Sequence, residues 1–205
     1  MNWNGGELPN SEKIILDLCG GTGAWSKPYK EAGYDVRLVT LPDYDVRTYN
    51  PPDNVYGILA APPCECFSRV GARWWARQDS EGRTAEAVEI FRACWHLCQK
   101  AKVFWALENP PGRQFKLMPE IPNPSWQFQP FYFGDRWHKQ TYLWGRFNMP
   151  FPTAICKPQE TIRMPSGHTV GRISRMSGNN PARAITPPGF VILANSLAIG
   201  SKSNE

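Results

Sequence analysis

The chain has no C-x-x-C cysteine pair, no Gly-Lys-Ser/Thr phosphate loop and no G-x-G-x-x-G turn. The first absence argues against a zinc ribbon; the other two argue against nucleoside-triphosphate and dinucleotide binding. Cys64 with Cys66, and Cys94 with Cys98, supply at most half a metal site each, so no metal is expected. No apolar run approaches the roughly 20 residues of a membrane span. The opening Met1-Asn2-Trp3-Asn4-Gly5-Gly6 lacks the charged and apolar regions of a secretory leader. These two absences predict a cytoplasmic protein with reduced thiols and no membrane partner. Internal repeats and low-complexity segments are missing as well.

What is present suffices for one domain. The chain has 205 residues, nine Trp and ten Phe, enough apolar volume for a sizeable core. A net charge of +5 suits a polyanionic partner. Apolar runs at residues 13–18, 36–41, 56–60 and 103–107 read as strands, and their near-continuous character fits a sheet covered on both faces. Trp25 to Ala32 reads as a short helix stopped by Gly33. Thr84 to Lys100 places Val88, Phe91, Trp95 and Cys98 at helical spacing, with Glu86 and Glu89 early and Lys100 late. Strands alternating with helices predict an α/β fold built on a doubly wound, mostly parallel sheet. After Glu108 prolines gather, predicting long ordered loops, with short strands at residues 126–133 and 140–144. A basic stretch, Lys157 to Arg183, carries Arg163, His168, Arg172 and Arg175. Residues 190–199 read as a closing helix and 200–205 as a disordered tail.

Three strand ends carry chemistry. The first strand runs into Asp17-Leu18-Cys19-Gly20-Gly21-Thr22-Gly23, where glycines permit a tight turn and close approach of a ligand. Asp17 is placed to accept bonds from a cofactor's amino or hydroxyl groups. Asp43 and Asp45 follow the second strand, where acids meet a ribose or an adenine amino group. The third strand stops at Pro62-Pro63-Cys64. A thiol titrates near 8.5 when isolated, and a strand end with Arg69 and Arg73 close in sequence favours the thiolate. Cys66 lacks the rigid Pro-Pro lead-in, so Cys64 is the expected nucleophile. The next strand ends in Glu108-Asn109. Ligands of open α/β sheets bind at the carboxyl ends of strands, so Glu108 and Cys64 can converge. A carboxyl beside a nucleophile can protonate or hydrogen-bond a ring nitrogen and make the ring electrophilic. Asn109-Pro110-Pro111-Gly112 also hints at the Asn-Pro-Pro-aromatic motif of amino-methyltransferases, but Gly112 replaces the aromatic and the motif comes one strand late.

Together the glycine turn, Pro62-Pro63-Cys64-Glu65-Cys66-Phe67-Ser68 and Glu108-Asn109 resemble the DNA cytosine-5 methyltransferase family, in a compact, phage-type form. Ala184-Ile185-Thr186-Pro187 resembles the family's late motif. The resemblance implies a Rossmann-like, S-adenosylmethionine-dependent methyltransferase domain over 1–205. Residues 13–110 would form the cofactor and catalytic core, 111–183 a reduced recognition region and 184–199 a closing segment. It implies that Cys64 adds to C6 of a flipped cytosine in DNA while Glu108 meets the N3 edge. It implies S-adenosyl-L-methionine bound by Asp17, Cys19, Gly20, Gly21, Thr22, Gly23 and Pro62, with Asp43 or Asp45 at the ribose or adenine. Pro63, Phe67, Ser68, Arg69, Arg73, Asn109 and Lys139 would meet the substrate. The stretch Arg69 to Arg83, with Trp74, Trp75 and Arg77, resembles the family's mobile active-site loop, with arginines for phosphate and Trp to wedge the stack.

The chain departs from the family at four places. Cys19 stands where Phe is usual, with Trp25 as the expected compensation. Glu65 replaces Gln, and Pro110 replaces Val. In place of Gln-x-Arg-x-Arg, Lys139-Gln140-Thr141 is the expected strand, with Arg136 and Lys139 as base-contacting cations. The recognition region is short, so target choice falls to shape, a short loop or a protein partner. Two alternatives remain at this level. One is a silent relative that binds DNA or protein; the other is a C5-modifying enzyme of free pyrimidine nucleotides.

Overall fold

The computed structural model describes residues 8–134, 139–148, 152, 161–163, 167 and 169–171. The closing segment with its Ala184-Ile185-Thr186-Pro187 motif, and Arg136, His168, Arg172 and Arg175, lie outside the described residues.

The chain forms β1 (Ile14–Leu18), α1 (Lys27–Glu31), β2 (Asp35–Val39), β3 (Val55–Ala60), α2 (Trp75–Ser80), α3 (Arg83–Lys100) and β4 (Phe104–Asn109). It continues with α4 (Gln114–Leu117), β5 (Trp126–Phe128), β6 (Thr141–Arg146), β7 (Thr161–Arg163) and β8 (Thr169–Gly171). Six strands make one sheet in the order β2-β1-β3-β4-β6-β5, and β7 pairs β8 in a small antiparallel ribbon. The first four strands of that order are parallel. β6 runs antiparallel to both β4 and β5.

The sheet is therefore mixed. A parallel neighbour needs a crossover of a dozen or more residues, normally a helix. The proline-rich segment after β4 supplies only the four-residue α4, so β6 returns antiparallel. The expected strand over 126–133 also stops at Phe128, because Pro130 has no N–H for the ladder and opens a 3₁₀ turn instead.

Alternating residues of the buried strands feed two cores. Ile14, Leu16, Leu18, Ile58, Ala60 and Leu107 pack against Phe91, Cys94 and Cys98 of α3. Ile15, Leu59, Ala106 and Leu143 pack on the other face with Tyr29 of α1 and Trp25. Helices thus cover both faces, as the continuous apolar strands predict. Trp25 belongs to the face opposite the cluster that receives Cys19, so it does not stand in for the aromatic missing at that position. Among the described residues no helix is long and apolar enough to cross a membrane.

Candidate active site

The parallel register aligns the strand ends in one row. Val39 pairs with Leu18, Leu18 with Ala60, and Ala60 with Leu107. The segments that continue past this row therefore emerge side by side: Thr40 to Asp43, Cys19 to Gly23, Ala61 to Cys64, and the last two residues of β4, Glu108 and Asn109, leading into Pro110. Cross-strand bonds continue one step past it, from the Cys19 N–H to the Val39 carbonyl and from the Ala61 N–H to the Leu18 carbonyl, both 2.9 Å.

The glycine turn is built around Asp17. That side chain is fully buried and accepts from Ser26 Oγ at 2.5 Å, while its Oδ1 has no hydrogen-bond partner among the described residues. A Cβ on Gly20 would overlap the Asp17 carboxyl, so only glycine closes over it. Burial pushes the Asp17 pKa up to about 6, against the lowering effect of the Ser26 bonds. The carboxyl, expected at the strand end as an acceptor for a cofactor, is enclosed by the turn and bonded to Ser26, which makes it a brace for the turn. Gly21, at φ 55°, opens onto free space, and Thr22 is exposed. Cys19 adopts φ 58°, a conformation that disfavours side chains, and its Sγ lies 3.7 Å from Cys94 Sγ.

The two acids after β2 separate clearly. Asp45 is held by Arg47 through a bidentate pair at 2.6 to 3.0 Å, which lowers its pKa. Asp43 is exposed and makes no ion pair among the described residues. Three apolar side chains of β2 and the loop after it, Leu38, Leu41 and Tyr44, are exposed. Leu38 also reaches the turn, where a Cβ on Gly23 would sit 3.1 Å from its Cδ2. Sequence reasoning passed over these three, because their exposure becomes visible only in the fold.

At the third strand end, Pro63 is exposed and Cys64 half-buried, and Cys64 is in no disulfide. The Cys64 carbonyl accepts from the N–H groups of Phe67 (3.0 Å) and Ser68 (2.8 Å), which bends the chain sharply behind the thiol. Cys66 is buried, and burial raises its pKa, so Cys64 is the better-placed nucleophile. Phe67, expected at the substrate, is fully buried edge-on to Phe91; it anchors the loop and offers no surface to a ligand. Ser68 accepts from the Val70 N–H at 3.3 Å and caps a 3₁₀ turn over Arg69–Trp74. Arg69 and Arg73 are exposed, with Arg73 over the ring of Trp74. Trp74 is 49% exposed, so it is a surface group and not core.

Glu108 and Asn109 lie inside β4, which runs two residues beyond its expected end because β6 pairs with it there. Asn109 is fully buried and donates from Nδ2 to the Pro62 carbonyl at 3.0 Å. Pro62 is itself buried, so neither residue presents its side chain openly to a ligand. Glu108 Oε1 is buried without a hydrogen bond among the described residues, and Lys139 Nζ lies 3.6 Å from it, within ion-pair reach but too far for a hydrogen bond. The structure thus brings Lys139 to Glu108.

No protein-family model and no curated protein matches the chain.

Proposed function

We propose that the protein is an S-adenosylmethionine-dependent DNA cytosine-5 methyltransferase on a doubly wound, Rossmann-like core, with Cys64 as nucleophile and Glu108 as its carboxyl partner. The observation that carries this reading is the shared row of strand ends, which lines up a glycine turn, a thiol and a half-buried carboxylate on one edge of the sheet. The residues fit the cofactor. Gly21 leaves open space over the turn, Asp43 is exposed with no ion pair among the described residues, and the exposed Leu38, Leu41 and Tyr44 would offer apolar surface to an adenine. When bound there, S-adenosylmethionine supplies an electrophilic methyl group.

The chain's own residues would do the rest. Cys64 Sγ adds to C6 of a flipped cytosine, and the C5–C6 electrons move to C5. Glu108, with Lys139 at 3.6 Å, meets the N3 edge, where a proton passed from its carboxyl to N3 offsets the negative charge that addition places on the ring. Once that electron pair has bonded C5 to the methyl group, loss of the C5 proton to water restores the C5–C6 double bond and expels the Cys64 thiolate. Arg69 and Arg73 offer phosphate contacts, and Trp74 is exposed to fill the space a flipped base leaves. Flipping costs a few kcal/mol, which these contacts offset.

The test is to incubate the protein with S-adenosylmethionine and duplex DNA containing 5-fluorocytosine. A denaturant-stable adduct that is lost in Cys64→Ala is expected. No adduct across varied duplexes, with cofactor binding demonstrated, would overturn the reading. Label on free deoxycytidylate alone would redirect it to a nucleotide enzyme.

A further inference from the structure

We infer that Arg113 is the positioning residue that holds the segment behind Cys64 closed against the Glu108 strand; the inference rests on the reading of Cys64 as nucleophile. Arg113 follows β4 by four residues, and its side chain is only 12% exposed. Its Nε donates to the Cys66 carbonyl at 2.8 Å. Nη1 and Nη2 donate to the two oxygens of Asp79 at 2.8 and 2.7 Å, and Nη2 also reaches Thr84 Oγ1 at 2.9 Å. The guanidinium face lies over the Trp75 ring, 4.6 Å from its centroid. Four N–H bonds and a stacked face leave the fork almost no freedom.

The backbone grips the same segment. The Arg113 N–H donates to the Phe67 carbonyl at 3.0 Å, and Gly112 forms an antiparallel bridge with Ser68. A Cβ on Gly112 would overlap the Phe67 carbonyl, so this approach needs glycine. One residue thus fastens both ends of the segment 66–79. Between those ends lie Arg69, Arg73 and Trp74, the groups offered to DNA. A second pair, Arg83 to Glu65, spans the same segment at 2.5 Å but is solvent-exposed on both sides, where ion pairs contribute little. Arg113 is therefore the dominant hold, and through it the thiol loop and the carboxylate strand move as one piece.

The chemistry of the contact is specific to arginine. Lysine keeps the charge but has no fork to span Cys66 and Asp79, and no plane to lie on Trp75. Hydrogen–deuterium exchange of Arg113→Lys should rise about tenfold or more across 66–79 while α3 amides stay unchanged. Asp79→Asn, a surface change, should reproduce most of that rise, and the double variant should add little to either. In the 5-fluorocytosine assay, both variants should slow adduct formation about tenfold at saturating DNA and cofactor, with cofactor affinity unchanged. Exchange over 66–79 that stays at the wild-type level would overturn the clasp. Raised exchange with an unchanged saturated rate would overturn the positioning role. If the wild type forms no adduct, the methyltransferase reading falls alone, and iodoacetamide decides the rest: Cys64 alkylation that changes relative to Cys19 in Arg113→Lys supports the hold on the thiol, and an unchanged ratio overturns it.

Discussion

The side-chain amide of Asn109 donates a 3.0 Å hydrogen bond to the Pro62 carbonyl, 47 residues away in sequence. Both groups are buried. Pro62 and Pro63 supply no N–H, so the ladder between β3 and β4 cannot continue through them. The Asn109 side chain takes over where the backbone stops, and it ties the thiol loop to the strand that carries Glu108.

Asn109→Ala should leave the Pro62 carbonyl unpaired and cost about 1–3 kcal/mol of stability. Thermal denaturation should register this as a drop of several degrees. Adduct formation through Cys64 should slow in the same variant, because the two loops lose their common register. An unchanged melting temperature would show that water replaces the amide and that the tie is dispensable.

Glu108→Gln keeps the shape of the side chain and removes its charge. Its rate of methyl transfer to a cytosine duplex should fall by roughly 10²–10⁴-fold, the usual worth of a positioned acid–base group. Duplex affinity should change little, since Glu108 is 13% exposed and faces Lys139 rather than phosphate. A rate within a few-fold of wild type would remove Glu108 from the chemistry.

Asp17→Asn should stabilise the fold above neutrality. The folded-state pKa of Asp17 is raised to about 6 by burial. Its contribution to stability is therefore full below the unfolded value and is lost as pH rises through 6. Asparagine mimics the protonated form, so the variant should gain roughly 3 kcal/mol or less at pH 7.5 and nothing at pH 3.5. Melting temperatures of both proteins from pH 3.5 to 8 would check this; a constant offset across the range would refute it.

Asp43→Ala and Asp45→Ala should separate in a calorimetric titration with S-adenosylmethionine. Asp43 has no ion pair among the described residues and stands beside the exposed Leu41 and Tyr44, so its loss should weaken binding about tenfold, the worth of one hydrogen bond to a charged group. Asp45 is engaged by Arg47 in a surface pair, and its loss should change stability and affinity little. The reverse order would assign the ribose to Asp45.

The parallel core was legible because its strands are short, mostly apolar and bounded by Gly or Pro, a pattern that depends on neighbours in sequence. The glycine turn and Pro63-Cys64 were legible for the same reason. Phe67 was misread as a substrate contact, since a motif says which residues occur together and not which way each points. The antiparallel end of the sheet was also hidden, because it arises from the lack of a crossover helix after Pro110. Arg113 carried no local signal. Its partners Cys66, Asp79 and Thr84 are 29 to 47 residues away.

The sequence by itself determined the strand ends and their chemistry: a glycine turn over an acid, a thiol after two prolines, and a carboxylate closing an apolar strand. Local rules suffice for that, since turn geometry and strand patterning act over a few residues. Only the tertiary structure decided which of those groups meet. Parallel register set Leu18, Ala60 and Leu107 in one row, burial took Asp17, Phe67 and Asn109 out of reach, and ion pairing engaged Asp45 while leaving Asp43 open. Each of these outcomes depends on partners brought close by folding, which no short window of sequence contains.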